Sequence, residues 1–194
     1  MAIKTKPSLP PRLEAVMVRL CRGARLNKTQ AVKLPYLVDV LATHHLGRPI
    51  TEGRHEAWDY GVVTKQAWRH LDRCESGDSV FRLKAVQHSE EKRVELLPAA
   101  RGLDGRLTAA ERAIVDYVRD TYGSVPASEL GKMTKVMNPE IDCWGGNLCA
   151  DTGLDAYDRM APQYQEMAKR VASITDEELR RHSIVVVNLE DAIA

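Results

Sequence analysis

Two short segments constrain this chain more than any other feature: Asn27-Lys28-Thr29-Gln30 and Thr108-Ala109-Ala110-Glu111. Each places a side-chain acceptor three residues before a Gln or Glu. In that pattern two otherwise unbonded amides at a helix start satisfy each other's partners. Behind the first, Leu34, Leu37, Val38, Leu41 and His45 recur at helical spacing, and behind the second Ile114, Val115, Val118 and Tyr122 do. Each pattern predicts a helix with one apolar stripe. Gly47 and Pro49 end the first helix and Gly123 the second. Pro35 lies inside the first, where a proline removes a hydrogen bond and costs about 3 kcal/mol, so a kink is expected near Ala31 to Leu34.

Shorter elements fill in around these two. Leu13, Val16, Met17 and Leu20 predict a helix over 12–22 with a polar reverse face. Residues 56–63 read as one extended segment turning into a helix near Thr64 that carries Trp68 and Leu71. Phe81, Leu83 and Ala85 alternate with Arg82 and Lys84, a half-buried strand; residues 93–97 form a second, and Ser89 to Lys92 the loop between them. Pro126 or Ser128 opens a further helix with Leu130, Met133, Thr134 and Met137 inward. A helical stretch interrupted near Pro162 follows, and Ile184, Val185, Val186 and Val187 form a β-branched run near the end. That run is either a strand of the domain or a strand offered to a partner's sheet edge.

The fold class expected is α+β, mainly α: a compact helical domain with a small antiparallel sheet or hairpin. Residues 1–11, with three prolines, read as a flexible N-terminal arm, 12–150 as the domain, and 151–194 as a helical extension and apolar tail. The core is aliphatic, since 44% of residues are hydrophobic but only 5% aromatic. A net charge of +1 argues against a dedicated nucleic-acid binder. No apolar run approaches the roughly 20 residues of a membrane span, and no leader with an apolar segment opens the chain, so a cytoplasmic protein is expected. Cys21, Cys74, Cys143 and Cys149 are scattered, without a Cys-x-x-Cys pair, and read as reduced, buried thiols.

The residues that carry chemistry elsewhere have plainer roles here. His44 and His45 point about 100° apart on a helix, too far to chelate one metal, and suit a helix C-terminus. Gly145-Gly146-Asn147 lacks the Gly-Lys-Ser/Thr of a phosphate loop. No nucleophile elbow occurs. No metal, cofactor or catalytic residue is therefore assigned. Trp58, Tyr60 and Trp68 read first as core under the long helix; the alternative is that one of them, Trp68 before the others, lines a groove for a partner, where Trp and Tyr are enriched. Arg12, Arg19, Arg22, Arg25 and Lys28 form a basic stretch in which Arg12, Arg19 and Arg22 share one helix face; it reads as a solvated face, with an acidic partner or nucleic acid as the alternative.

Three segments in order resemble one family. Asn27, Lys28, Lys33, Leu34 and Tyr36 are followed by Gly47, Pro49, Ile50 and Thr51; then come Ala57, Trp58, Tyr60, Gly61 and Val63; then Leu107, Thr108, Glu111, Tyr122, Gly123 and Leu130, with Thr134 and Trp144 beyond. This series resembles the Panacea domain of SocA-like antitoxins over roughly residues 20–144. The chain departs from that pattern at Pro35, at Val62 in place of a proline, and at Lys135 in place of a histidine. The resemblance implies an antitoxin that binds and neutralises a cognate toxin protein, in some relatives by handing it to a protease, with no catalytic activity. The alternative reading is a nucleic-acid-binding transcriptional regulator. The partner-binding residues expected are Trp58, Tyr60, Lys65, Trp68, Ile184 and Val186.

Overall fold

The computed structural model describes residues 9–74, 79–136, 147–148, 175 and 177. Helix α1 spans Pro11–Cys21 and α2 spans Lys28–Leu46. Strands β1 (His55–Trp58) and β2 (Gly61–Thr64) lead into α3 (Lys65–Asp72). Strands β3 (Phe81–Ala85) and β4 (Lys92–Leu96) follow, then two single 3-10 turns, α4 (Ala109–Tyr122), α5 (Ala127–Val136) and β5 (Asn147–Leu148). This is the mainly helical α+β class expected from the sequence, with one three-stranded and one two-stranded antiparallel sheet.

Both capping boxes form. Asn27 Oδ1 accepts from the Gln30 amide and Gln30 Oε1 from the Asn27 amide, each at 2.8 Å. Thr108 and Glu111 do the same at the start of α4. Gly47 closes α2 in the left-handed conformation (φ 67°) that favours glycine.

Helix α2 is the centre of the domain and packs against α1, α3, α4, α5, β2 and β4. It remains helical through Pro35. It departs from expectation in burying every residue from Gln30 to Ala42, not a single stripe. A helix enclosed on all sides takes its stability from packing, which outweighs one lost hydrogen bond. His45, placed on the inner stripe by its spacing, is only half-buried, because the last turn emerges from the core.

Besides the capping Gln30, two buried polar side chains lie inside α2, and each is satisfied. The Asp39 carboxylate accepts the Ile50 amide at 2.7 Å, the Thr51 amide at 2.9 Å and the Thr51 hydroxyl. It also meets His55 Nε2 at 2.8 Å, while His55 Nδ1 lies 3.1 Å from the Thr64 hydroxyl. This cluster ties α2 to the turn after it and to both strands of the first hairpin. Lys33 is the other.

Residues 56–63 form a hairpin where one extended segment was expected. β1 pairs with β2 from His55↔Thr64 to Trp58↔Gly61, leaving a two-residue turn at Asp59-Tyr60. β5 adds to the far side of β1. β3 matches expectation, and β4 lies one residue earlier than expected, with Phe81 opposite Leu96. Phe81 is buried, but alternation fades as the hairpin projects outward and leaves Ala85 exposed.

The polar face expected on α1 is not solvated. Arg19 is 4% exposed and bonds Asp116 at 2.6 and 2.7 Å and Asp104 at 3.1 Å. Arg22 reaches Asp104 at 2.8 Å, and Arg12 reaches Glu111. The face meets carboxylates of α4 and of the 3-10 turn Leu103–Arg106, residues too distant in sequence for α1 alone to reveal. Of the N-terminal arm, residues 1–8 lie outside the described part, Leu9 is buried and Pro11 is the first residue of α1. Cys21 and Cys74 are buried, and burial pushes the Cys21 thiol up to about 12. Cys143, Cys149, Met137 and the run at 184–189 lie outside the described residues.

Removing one partner from a buried ion pair leaves the other charge uncompensated. Arg19→Ala is therefore expected to destabilise the domain by about 3 kcal/mol, read as a lower urea midpoint. A midpoint equal to that of the unmodified chain would mean the pair contributes nothing.

Candidate partner-binding surface

The first hairpin and α3 carry the surface. Trp58 ends β1, Tyr60 is the second turn residue, and Lys65 and Trp68 lie on the first turns of α3. The structure brings these four residues onto one hairpin–helix unit. Ile184 and Val186 lie outside the described residues.

Tyr60 is 86% exposed, the one large hydrophobic side chain so exposed among the described residues. The expectation that it packs in the core is overturned: the hairpin turn lifts it away from α2. Trp58 and Trp68 are half-buried at the core's edge, with ring centroids 5.2 Å apart in an edge-to-face arrangement. The Lys28 ammonium sits 5.5 Å above the Trp68 ring and bonds Asp72 at 2.7 Å.

Glu56, which sequence reasoning passed over, organises the unit. Its carboxylate accepts from Trp58 Nε1 at 3.3 Å and from the Lys65 ammonium, with Arg54 at 3.4 Å. Burial alone would raise its pKa; the bonds from Lys65 and Trp58 and the nearby Arg54 hold it below the usual value. Lys65, expected to face a partner, is thus held in an ion pair.

The turn beneath Tyr60 is fixed from below. Lys33, 1% exposed, bonds the carbonyls of Tyr60 and of Val62, the latter at 3.2 Å. The Val62 amide donates to the Thr134 hydroxyl of α5 at 3.0 Å. Gly61 has φ 90°, and a Cβ there would collide with the Gly131 backbone. A Cβ on Gly131 would in turn come within 2.7 Å of the Tyr60 carbonyl. Backbone meets backbone at this crossing, so both glycines, Gly61 and Gly131, have a steric reason. The signal for Lys33 was legible: a lone lysine within the apolar run Ala31, Val32, Leu34.

The basic stretch is largely neutralised internally. Arg12, Arg19 and Arg22 pair with Glu111, Asp116 and Asp104, and Lys28 with Asp72. Glu111 also binds Arg48 at 2.7 Å; burial would raise its pKa, and the Thr108 amide with the two guanidinia lowers it below the usual value. Asp39, His55 and Thr64 have the composition of a catalytic relay, but all three are buried and hold the hairpin to α2. Among the described residues no group of His, Cys, Asp and Glu is placed to hold a metal ion, and no helix is long and apolar enough to cross a membrane.

Burial pulls the Lys33 ammonium from its ordinary 10.5 down to about 8. Between those values the unfolded chain binds more protons than the folded one, so stability rises with pH across that window. The neutral amine keeps two N–H donors for its two carbonyls. The stability difference between the unmodified chain and Lys33→Met is expected to grow by on the order of 2 kcal/mol from pH 8 to pH 10.5. Urea titrations at several pH values measure it; a flat difference would contradict the assignment.

Comparison with known proteins returns one family, described as antitoxin SocA-like, Panacea domain, which matches residues 32–139. No curated protein and no solved structure matches the chain. The match begins within α2 and runs just past α5, so it takes in the hairpin, the Lys33 contact and the Gly61–Gly131 crossing. Covering more than half of the 194 residues, it makes this chain a member of the SocA-like antitoxin family, Panacea domain.

Proposed function

We propose that the chain is a cytoplasmic antitoxin that neutralises a cognate toxin protein by direct contact and performs no chemistry of its own. Family membership across residues 32–139 is the observation that carries this reading. The surface supports it. Tyr60 stands 86% exposed on a turn immobilised by Lys33, Thr134 and Gly131. An aromatic side chain on a rigid support loses little entropy when a partner covers it. Trp68, with Trp58 and Lys28 against it, adds a second aromatic anchor of the kind enriched at binding hot spots. Ile184 and Val186 remain in the proposed contact set, as a strand added to a toxin's sheet edge.

Inducing the adjacent gene in a host with and without this chain tests the reading. Growth arrest that the chain relieves, with the neighbour copurifying, is the expected result. Relief with loss of the neighbour would point to delivery to a protease; a harmless neighbour would sink the antitoxin reading. Tyr60→Ala is expected to weaken toxin binding by about 30-fold, the scale of a hot-spot truncation, with an unchanged urea midpoint. Unchanged affinity in both Tyr60→Ala and Trp68→Ala would move the contact off this hairpin.

A further inference from the structure

We propose that the cavity between the α1–α2 connection, β4 and the α4–α5 turn is a second docking site, built for a carboxylate-bearing segment of the protein partner. The cavity has a volume of about 420 Å³, and Arg25, Gln30, Glu91, Arg93 and Ser128 are among its lining residues. That the partner is a toxin rests on the antitoxin reading; the preference for carboxylates does not.

The two arginines carry the inference. Arg12, Arg19, Arg22, Arg48, Arg54 and Arg119 each meet a carboxylate within the domain. Arg25 and Arg93 are exposed, come from different elements, and make no side-chain hydrogen bond or ion pair among the described residues. They line the same cavity.

The cavity wall is prearranged. Gln30 spends its carboxamide on the Asn27 amide and on the carbonyls of Gly123 and Val125 at 3.0 and 2.9 Å. It joins the start of α2 to the α4–α5 turn and leaves the guanidinia and the Ser128 hydroxyl to a ligand. A guanidinium presents a planar fork that matches a carboxylate. The volume suits one or two acidic side chains. A nucleic-acid strand fits less well, because it needs a track of cations along its phosphates. Here the neighbouring arginines of α1 are already paired with carboxylates of the domain, so no such track is offered.

The test titrates the full chain with a fluorescein-labelled hexaglutamate peptide, its hexaglutamine counterpart and a labelled oligothymidylate, followed by anisotropy at low salt. Hexaglutamate is expected to bind and hexaglutamine not. The Arg25→Ala/Arg93→Ala double variant should weaken hexaglutamate about tenfold. Ser128→Glu, which fills the site with its own carboxylate, should weaken it similarly, and Arg101→Ala, outside the cavity, should leave it unchanged. Absent hexaglutamate binding, or equal binding by the double variant, would overturn the proposal. So would tighter, arginine-dependent binding of oligothymidylate. If the arginines govern hexaglutamate binding but the chain relieves no toxicity, the cavity chemistry stands and the antitoxin reading falls. Relief of toxicity with hexaglutamate binding indifferent to the arginines gives the reverse.

Discussion

The ammonium of Lys33 is the contact on which the exposed end of this domain depends. It leaves the central helix inside the core, where an isolated charge is costly, and is tolerated because two backbone carbonyls of the hairpin turn receive it. Those carbonyls, at Tyr60 and Val62, would otherwise be buried or half-buried acceptors without a β-ladder partner on that side. The satisfaction is mutual, so neither α2 nor the hairpin can shift without leaving a polar group bare. Thr134 closes the same edge by taking the Val62 amide. The hairpin edge is thus sealed by side chains, and what projects is a single phenol ring on a fixed backbone.

A second constraint is how charge is divided. With 28 basic and 27 acidic residues, the chain could present a mixed surface everywhere. Instead, α1 turns its arginines towards Asp104, Glu111 and Asp116, and these pairs fix how α1 sits on α4. Buried pairs of this kind add little net stability over an apolar contact, but separating one leaves an uncompensated buried charge. Among the described arginines without a side-chain ion pair, Arg25 and Arg93 are distinctive in lining one cavity.

Local signals were the legible part of the sequence. Asn27 and Thr108 start their helices as read, because a capping box is complete within four residues. The helix after Thr64 and the strand from Phe81 were equally readable from spacing. What depended on distant partners was not. Arg19 looks solvated until Asp116, 97 residues away, is placed against it. Asp59-Tyr60 is not a strong hairpin turn, and Gly61 takes its positive φ to pass Gly131 on another helix. Tyr60 and Trp58 looked alike in sequence, yet the hairpin sends one outward and keeps the other at the core's edge. Of the site residues, Trp58, Lys65 and Trp68 do gather on one unit, whereas Glu56, which holds Trp58 and Lys65 in place, carried no recognisable signal.

This architecture separates the residues that hold the fold from those free to change. Lys33, Asp39, Gly61 and Gly131 each satisfy or make room for a specific backbone group, so replacing any one disturbs the others. Tyr60, Arg25 and Arg93 bear on no such network: their side chains are exposed and hold nothing in the core. Substitutions there come at little expense to stability, since exposed changes away from caps and buried pairs are usually small. Under the proposed mode of binding, a turn residue and two arginines would set the choice of partner, with the lysine beneath the turn kept in place.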